Sequence, residues 1–217
     1  MKLEIVRIVT GELEENCFIV WNGGQNEAVV VDAGADAELI DAELKARKLT
    51  VAALLLTHCH GDHIGAVSEL KSLYPNAVVY VPEAEAEWML RPTLNLSYFL
   101  GASITAPGAD RLVCDGDRVQ AAGLEFKALH VPGHSPGGTA YFVEDEKEKP
   151  PHLLCGDILF SGSIGRTDLP GGAGEEVLVA NIRKKLFVLP AETVVHPGHG
   201  PDTSIGFEKK SNPYCGE

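Results

Sequence analysis

The stretch "LLLTHCHGDHIG" places His58, His60, Asp62 and His63 within six residues, directly behind a run of aliphatic side chains. No other feature of the chain restricts its fold as tightly. A buried strand that ends in four polar, metal-ligating side chains must open onto a cleft, and other elements must close around that cleft. One isolated histidine in this position would read as a solvated loop residue. Only eight histidines occur among 217 residues, so three of them beside an aspartate point to a shared ligand, and the residue types point to a metal ion. Cys59 lies between two of the histidines. Neighbouring side chains of an extended segment face opposite ways, so Cys59 is expected to pack inward while His58 and His60 share one site.

The flanking sequence says what carries this cluster. "LEIVRIV", "CFIVW" and "AVVVDAG" are short, β-branched and separated by turn residues, which predicts a strand meander. "DAELIDAELKARKL" changes to helical spacing, with Leu39, Ile40, Leu44 and Leu49 expected on its buried side. "VAALLLT" returns to a buried strand, so His58 falls just beyond a carboxyl end, where loops are free of sheet pairing. "HIGAVSELKSLYP" predicts a helix stopped by Pro75, and "AVVYV" a further strand. Residues 91–110, interrupted by prolines and glycines, leave open a loop or short helices over the site. A second set of strands is expected from "RLVCDGDRVQAAG", "LEFKALHVPG" and "TAYFVED", with "EDEKEKPP" as a solvated hairpin tip. "HLLCGDIL" then reads as a strand, "EEVLVANIRKKLFVL" as a helix and "ETVVHPGHG" as a final strand. No low-complexity linker divides the chain, and residues 1–217 are expected to form one domain.

Charge narrows the partners. The formal net charge is -13 and the pI about 5.0, which argues against a phosphate backbone or an anionic membrane, since both need clustered Lys and Arg. No stretch of about 18 apolar residues occurs. "MKLEIVRIVTGELEEN" alternates charge with hydrophobe where a secretory signal has a continuous apolar region, so a cytoplasmic location is expected. The five cysteines form no C-x-x-C pair and suit reduced thiols. Oligomeric state is not readable.

Three further segments repeat the pattern of a strand end with adjoining glycine: "HVPGHSPGG" offers His134, "LLCGDILF" offers Asp157 and "HPGHGP" offers His199. Seven donors exceed the needs of one zinc ion, and two ions sharing a water would use them all. Gly61, Gly133, Gly156 and Gly198 beside these donors permit close backbone approach. His130, His152 and His196 fall outside the pattern and are expected to be structural, with His196 open to supporting the ligands from behind.

The run H-x-H-x-D-H at 58–63, followed in order by His134, Asp157 and His199, resembles the metallo-β-lactamase superfamily over nearly the whole chain. The resemblance implies an α/β (α+β) fold, the four-layer αβ/βα sandwich, with a dinuclear site at the edge between two sheets. It implies that His58, His60 and His134 bind one metal, that Asp62, His63 and His199 bind the other, and that Asp157 bridges. "GDILFSGSIGRTDLPGG" and "GHGPDTSIGFEKKSNPY" resemble the short glyoxalase II-like hydrolases, which cleave S-D-lactoylglutathione or related thioesters. By that resemblance Arg166 binds a substrate carboxylate as a two-pronged donor, its alternative being an internal ion pair with Asp168. The sequence departs from the larger enzymes in carrying Asp168 and Pro201 at glutathione-contacting tyrosine positions, and in ending without their helical C-terminal domain.

The chemistry expected of such a site is hydrolysis. Two divalent ions, zinc in the first place with iron or manganese also compatible, acidify a shared water and polarise a carbonyl, while Asp62 orients the attacking oxygen. A small-molecule thioester suits a site without an obvious general acid, because a thiol's pKa of about 8.5 lets thiolate depart unaided. The alternatives are a persulfide dioxygenase with one iron on a subset of these ligands, which shares "THCH", "DH" and "GRTD", and a non-catalytic binding protein. "GHGPDTSIG" matches the hydrolytic branch.

Overall fold

A computed structural model of the chain describes residues 2–145 and 148–217. The amino-terminal half forms a six-stranded sheet in sequence order: β1 (Leu3–Thr10), β2 (Glu15–Asn22), β3 (Glu27–Val31), β4 (Thr50–Leu55), β5 (Val78–Pro82) and β6 (Arg111–Val113). The first three strands run antiparallel and β3 to β6 run parallel. Parallel neighbours need crossovers, supplied by α1 (Ala37–Ala46) and by the short pair α2 (Gly61–Ile64) and α3 (Val67–Leu73).

The second sheet contains β7 (Arg118–Ala121), β8 (Leu124–His130), β9 (Thr139–Asp145) and β10 (Glu148–Gly156). A small hairpin, β11 (Leu159–Phe160) and β12 (Ser163–Ile164), precedes α4 (Glu175–Asn181), which continues into a π turn at Ile182–Leu186. The chain closes with β13 (Val194–Pro197), β14 (Thr203–Ser204) and α5 (Ile205–Ser211), and the sheet order is β14-β13-β10-β9-β8-β7. Residues 146 and 147, the tip expected from "EDEKEKPP", lie outside the described residues.

Strand alternation builds three cores and hence four layers. On β2, Phe18 and Val20 face the second sheet while Ile19 faces the helices; on β3, Val29 and Val31 oppose Val30; beyond them Ala53 and Leu55 oppose Leu54 and Leu56. The helix-side residues pack on Ile40 and Leu44 of α1 and on Val67 and Leu70 of α3. The inter-sheet residues meet Phe126, Ala128, Tyr141 and Val143, and the outer face of the second sheet packs on Leu178 and Ile182. Strands buried on both faces need unbroken apolar runs, which is why "AVVV" and "AALLL" show no polar alternation. This is the four-layer αβ/βα sandwich. Among the described residues no helix is long and apolar enough to cross a membrane.

Several local expectations are refined. Leu39 is half exposed, because Ile40 and Leu44 take the centre of the buried stripe of α1. The single helix expected over 63–75 is two: Gly65 lies so close to the chain that an added Cβ would sit 2.3 Å from the Gly34 carbonyl oxygen. Glu83–Leu90 and Ser97–Leu100 form 3-10 turns, the latter within the irregular 91–110 segment. Helix α5 was not legible in advance; Ser204 caps it by accepting from the Phe207 amide.

Candidate metal centre

Each candidate donor follows the carboxyl end of a strand or starts the helix behind one. His58 and His60 lie after β4, Asp62 and His63 in α2, His134 between β8 and β9, Asp157 directly after β10, and His199 after β13. The two sheets therefore bring all seven side chains to one edge. Cys59 points away into the first core, as extended backbone requires.

His58, His60 and His134 form the first group. His60 Nδ1 lies 3.1 Å from His58 Nε2 and 3.0 Å from His134 Nε2. The outer nitrogens assign the protons. His134 Nδ1 donates to the Arg166 carbonyl at 2.8 Å, and His58 Nδ1 donates to Thr57 Oγ1 at 3.1 Å, whose own proton goes to Asp32 Oδ2. Both Nε2 atoms are consequently bare lone pairs facing one Nδ1, which can offer a proton to only one of them. A cation resolves the conflict: tetrahedral bonds of about 2.0–2.1 Å would separate three nitrogens by about 3.3 Å. Burial pushes His58 and His134 below the ordinary imidazole range and His60 to about 3, keeping the group neutral as ligands must be.

Asp62, His63 and His199 form the second group. Asp62 Oδ2 is 3.3 Å from His199 Nε2 and 3.8 Å from His63 Nε2. His63 Nδ1 is held by Asp32 Oδ2 at 3.1 Å and His199 Nδ1 by the Leu13 carbonyl at 3.0 Å, turning both Nε2 atoms inward. Asp157 lies between the groups, with Oδ2 3.6 Å from His134 Nε2 and 3.7 Å from His199 Nε2, and Oδ1 3.5 Å from His63 Nε2.

The chemistry of the donor set fits divalent ions. His63 Nε2 and Asp157 Oδ1 are buried without a hydrogen-bond partner and face the same space. Among the described residues, Asp62 and Asp157 pair only with imidazoles, never with Lys or Arg. Burial opposes charge on His63 and His199, yet Asp62 and Asp157 hold both above the usual range. Burial likewise raises the Asp62 carboxyl, but His63 and His199 outweigh it and keep it well below the carboxylate range. The second half of the cleft calls for positive charge. Gly198 permits the close approach: a Cβ there would lie 2.3 Å from Asp157 Oδ1.

Two acids that hold the site together were missed in the sequence. Asp32, after β3, accepts from the Thr57 amide at 2.7 Å, the Thr57 hydroxyl at 2.6 Å and His63 at 3.1 Å, so it orients candidate donors of both groups. Its signal was present, since "AVVVDAG" repeats the apolar run, acid and nearby glycine of the other donors. Glu85 is buried and accepts from the Cys59 and Gly137 amides, both at 2.6 Å, tying the His58 loop to the His134 loop. Of the remaining histidines, His130 Nε2 donates to the Pro136 carbonyl at 2.8 Å. His196 does not support the ligands: its Nε2 is 2.9 Å from His152 Nδ1 and its Nδ1 3.1 Å from Asp202 Oδ2, on the other side of its strand.

A cleft of about 410 Å³ opens over the donors, walled by Leu13, Leu96, Leu100, Phe160, Ile164 and Leu169, with Arg166 at its side. Arg166 makes a two-pronged ion pair with Asp168, both bonds 3.0 Å, and both residues are exposed.

This architecture has counterparts among known proteins. The family model for the metallo-β-lactamase superfamily matches residues 10–199. Hydroxyacylglutathione hydrolase GloC of Haemophilus influenzae is 33% identical over 220 residues, covering 99% of this chain and 98% of that protein. The crystal structure of the BLEG-1 B3 metallo-β-lactamase superposes with a TM-score of 0.91 at 40% identity, over 98% of this chain and 99% of that one. TTHA1623, crystallised in a di-iron-bound form, gives 0.83 at 36% identity, over 96% and 99%. With the fold and the donor set in place, the chain belongs to the metallo-β-lactamase superfamily. It is a metal-dependent hydrolase of that class.

Proposed function

We propose that the chain hydrolyses a small-molecule thioester, such as S-D-lactoylglutathione, with two divalent metal ions, zinc foremost. The observation that carries this reading is the convergence of inward-turned imidazole nitrogens on both sides of the Asp157 carboxylate. His58, His60 and His134 would hold one ion, Asp62, His63 and His199 the other, and Asp157 both. Ions bound there supply Lewis acidity toward a carbonyl oxygen and make water acidic enough to attack near neutral pH. The similarity to GloC supports a thioester substrate.

The chain's own groups set the geometry. Asp62 stays ionised and presents its carboxylate to the cleft, where it accepts a hydrogen bond from the attacking water and aims it. The water gives up one proton to solvent and its oxygen bonds to the carbonyl carbon; the C–S bond breaks with its electron pair leaving on sulfur, and the carboxylic acid formed then releases its remaining proton to solvent. The thiolate needs no proton at that moment because a thiol's pKa is about 8.5, which suits a cleft with no Lys or Tyr in its wall. The apolar wall excludes water around these charges and strengthens them.

The test is metal analysis joined to turnover. Protein loaded with zinc is expected to retain close to two ions per chain and to hydrolyse S-D-lactoylglutathione. A single iron with oxygen uptake on glutathione persulfide, or hydrolysis of a penicillin without any thioester turnover, would overturn the reading.

Arg166 gives a second check. An ion pair in full contact with water is screened and weak, so Asp168 readily yields the guanidinium to a substrate carboxylate. Arg166→Ala is expected to raise KM for glutathione thioesters about three- to tenfold with kcat little changed. Unaltered KM on every acidic thioester would leave Arg166 a purely structural residue.

A further inference from the structure

We propose that a second cavity beside the metal centre binds the acyl arm of the substrate, and that the protein prefers unbranched aliphatic acyl groups of about four to eight carbons. This rests on the thioesterase reading above and names its substrate class. The cavity holds about 220 Å³ and shares Leu13, Asp62 and Leu100 with the larger cleft. Asp62, where the attacking water would be aimed, lines it together with Thr10, Ala102 and Ile104.

A thioester carbonyl sends its two arms in opposite directions, and the site provides two spaces meeting at one carboxylate. Their linings differ. The larger cleft carries Arg166 and opens widely, which suits a polar thiol arm. The smaller one is lined mainly by apolar surface and by no Lys, Arg or His, and its charged residues are Glu12 and Asp62. An acyl group bearing a carboxylate is repelled there. Of the cavity's two hydroxyls, Thr10 donates to Glu15 at 2.7 Å and accepts from the Ala35 amide at 3.2 Å, and Ser97 Oγ accepts from the Ile104 amide at 3.0 Å, so a hydroxylated acyl group gains less there than an aliphatic one.

The rim of the cavity is also apolar. Leu13 and Leu100 stand between the two spaces while 49% and 63% exposed, and the adjoining Tyr98 and Phe99 are 60% and 66% exposed. Apolar side chains crowded onto one short turn at a cleft mouth mark a surface that binds apolar matter. Here the continuity with the metal centre identifies that matter as part of the substrate. The turn is tied by the Tyr98 amide donating to the Pro92 carbonyl and the Ala102 amide donating to the Ser97 carbonyl, both at 3.0 Å.

The experiment is a chain-length series on the zinc-loaded enzyme: acetyl, propionyl, butyryl, hexanoyl, octanoyl and D-lactoyl thioesters of N-acetylcysteamine, a neutral thiol that leaves Arg166 out of the comparison. Each buried methylene is worth about three- to fourfold in kcat/KM. The hexanoyl ester should accordingly exceed the acetyl ester by about a hundredfold, and the propionyl ester should exceed the D-lactoyl ester. Ala102→Phe fills the cavity and is expected to bring the hexanoyl-to-acetyl ratio close to one. Should that variant not fold, Ile104→Ala widens the cavity and should move the optimum toward octanoyl. A flat profile with measurable turnover, or an unchanged profile in a folded variant, overturns the acyl cavity alone. Absence of turnover on every member by protein holding two zinc ions overturns the thioesterase reading beneath it.

Discussion

Replacing Asp157 by alanine is expected to leave a folded protein that no longer retains two metal ions and whose thioester turnover falls by about three orders of magnitude. The carboxylate lies between the two donor groups, 3.6 Å from His134 on one side and 3.5 Å from His63 on the other, so its loss removes a ligand from both. Stability separates this from simple unfolding. In metal-free protein Asp157 helps to hold His63 and His199 protonated, so deleting it removes attraction to two imidazoles. The metal-free variant should therefore melt somewhat below the metal-free wild type, still in one cooperative transition. Saturating zinc, by contrast, should raise the wild-type Tm by about 5–10 °C, the stabilisation expected at a ligand excess of about a hundredfold over Kd, and the variant's far less. Calorimetric scans with and without zinc, alongside elemental analysis, check both halves. Retention of two ions with turnover within tenfold of wild type would remove Asp157 from its bridging role.

What could be read from the sequence follows from how each residue's surroundings are encoded. His58, His60, Asp62 and His63 are neighbours in the chain, so composition alone exposes them. His134, Asp157 and His199 are scattered, yet each follows an apolar run and adjoins glycine, and the superfamily resemblance orders them. The layered fold came from the superfamily resemblance, while runs such as "AVVVDAG" and "VAALLLT" told only of buried strands, being too apolar for a sheet with a wet face. Asp32 shares that strand-end pattern and was overlooked because a lone acid after a strand is ordinary. Glu85 carries no such signal. It sits in "EAEAEW" between two other glutamates, and only the packing that buries it against the Cys59 and Gly137 amides sets it apart from Glu83 and Glu87. His196 misled for the opposite reason, since proximity to His199 in sequence concealed that a strand turns its side chain toward His152. The pair Arg166–Asp168 was legible as a choice, and the structure shows the ion pair at the side of the cleft.

Asp32→Asn is expected to weaken binding of the second metal about 10- to 100-fold while leaving the fold nearly as stable as wild type. The argument turns on a proton. In the native site the Asp32 carboxylate accepts from His63 Nδ1 at 3.1 Å and from the Thr57 hydroxyl at 2.6 Å through the same oxygen, Oδ2, while Oδ1 takes the Thr57 amide at 2.7 Å. The asparagine oxygen replaces Oδ1, because the amide can only donate. Its NH2 then occupies the place of Oδ2 and faces two former donors. The Thr57 oxygen, which already accepts from His58, can accept from the NH2 as well, leaving only its own proton without a partner. His63 adapts by moving its proton from Nδ1 to Nε2, the atom that points at Asp62 and Asp157. An imidazole protonated at that nitrogen has no lone pair for a cation. Stability falls only modestly because the Thr57 hydroxyl proton alone loses its partner, whereas Asp32→Ala would strand three donors at about 1–3 kcal/mol each and melt far earlier. The tautomer can be read directly from the ring-nitrogen chemical shifts of His63, and the affinity from competition with a chelator. Tight second-ion binding together with a proton still on Nδ1 would show that Asp32 fixes the loop and not the ligand.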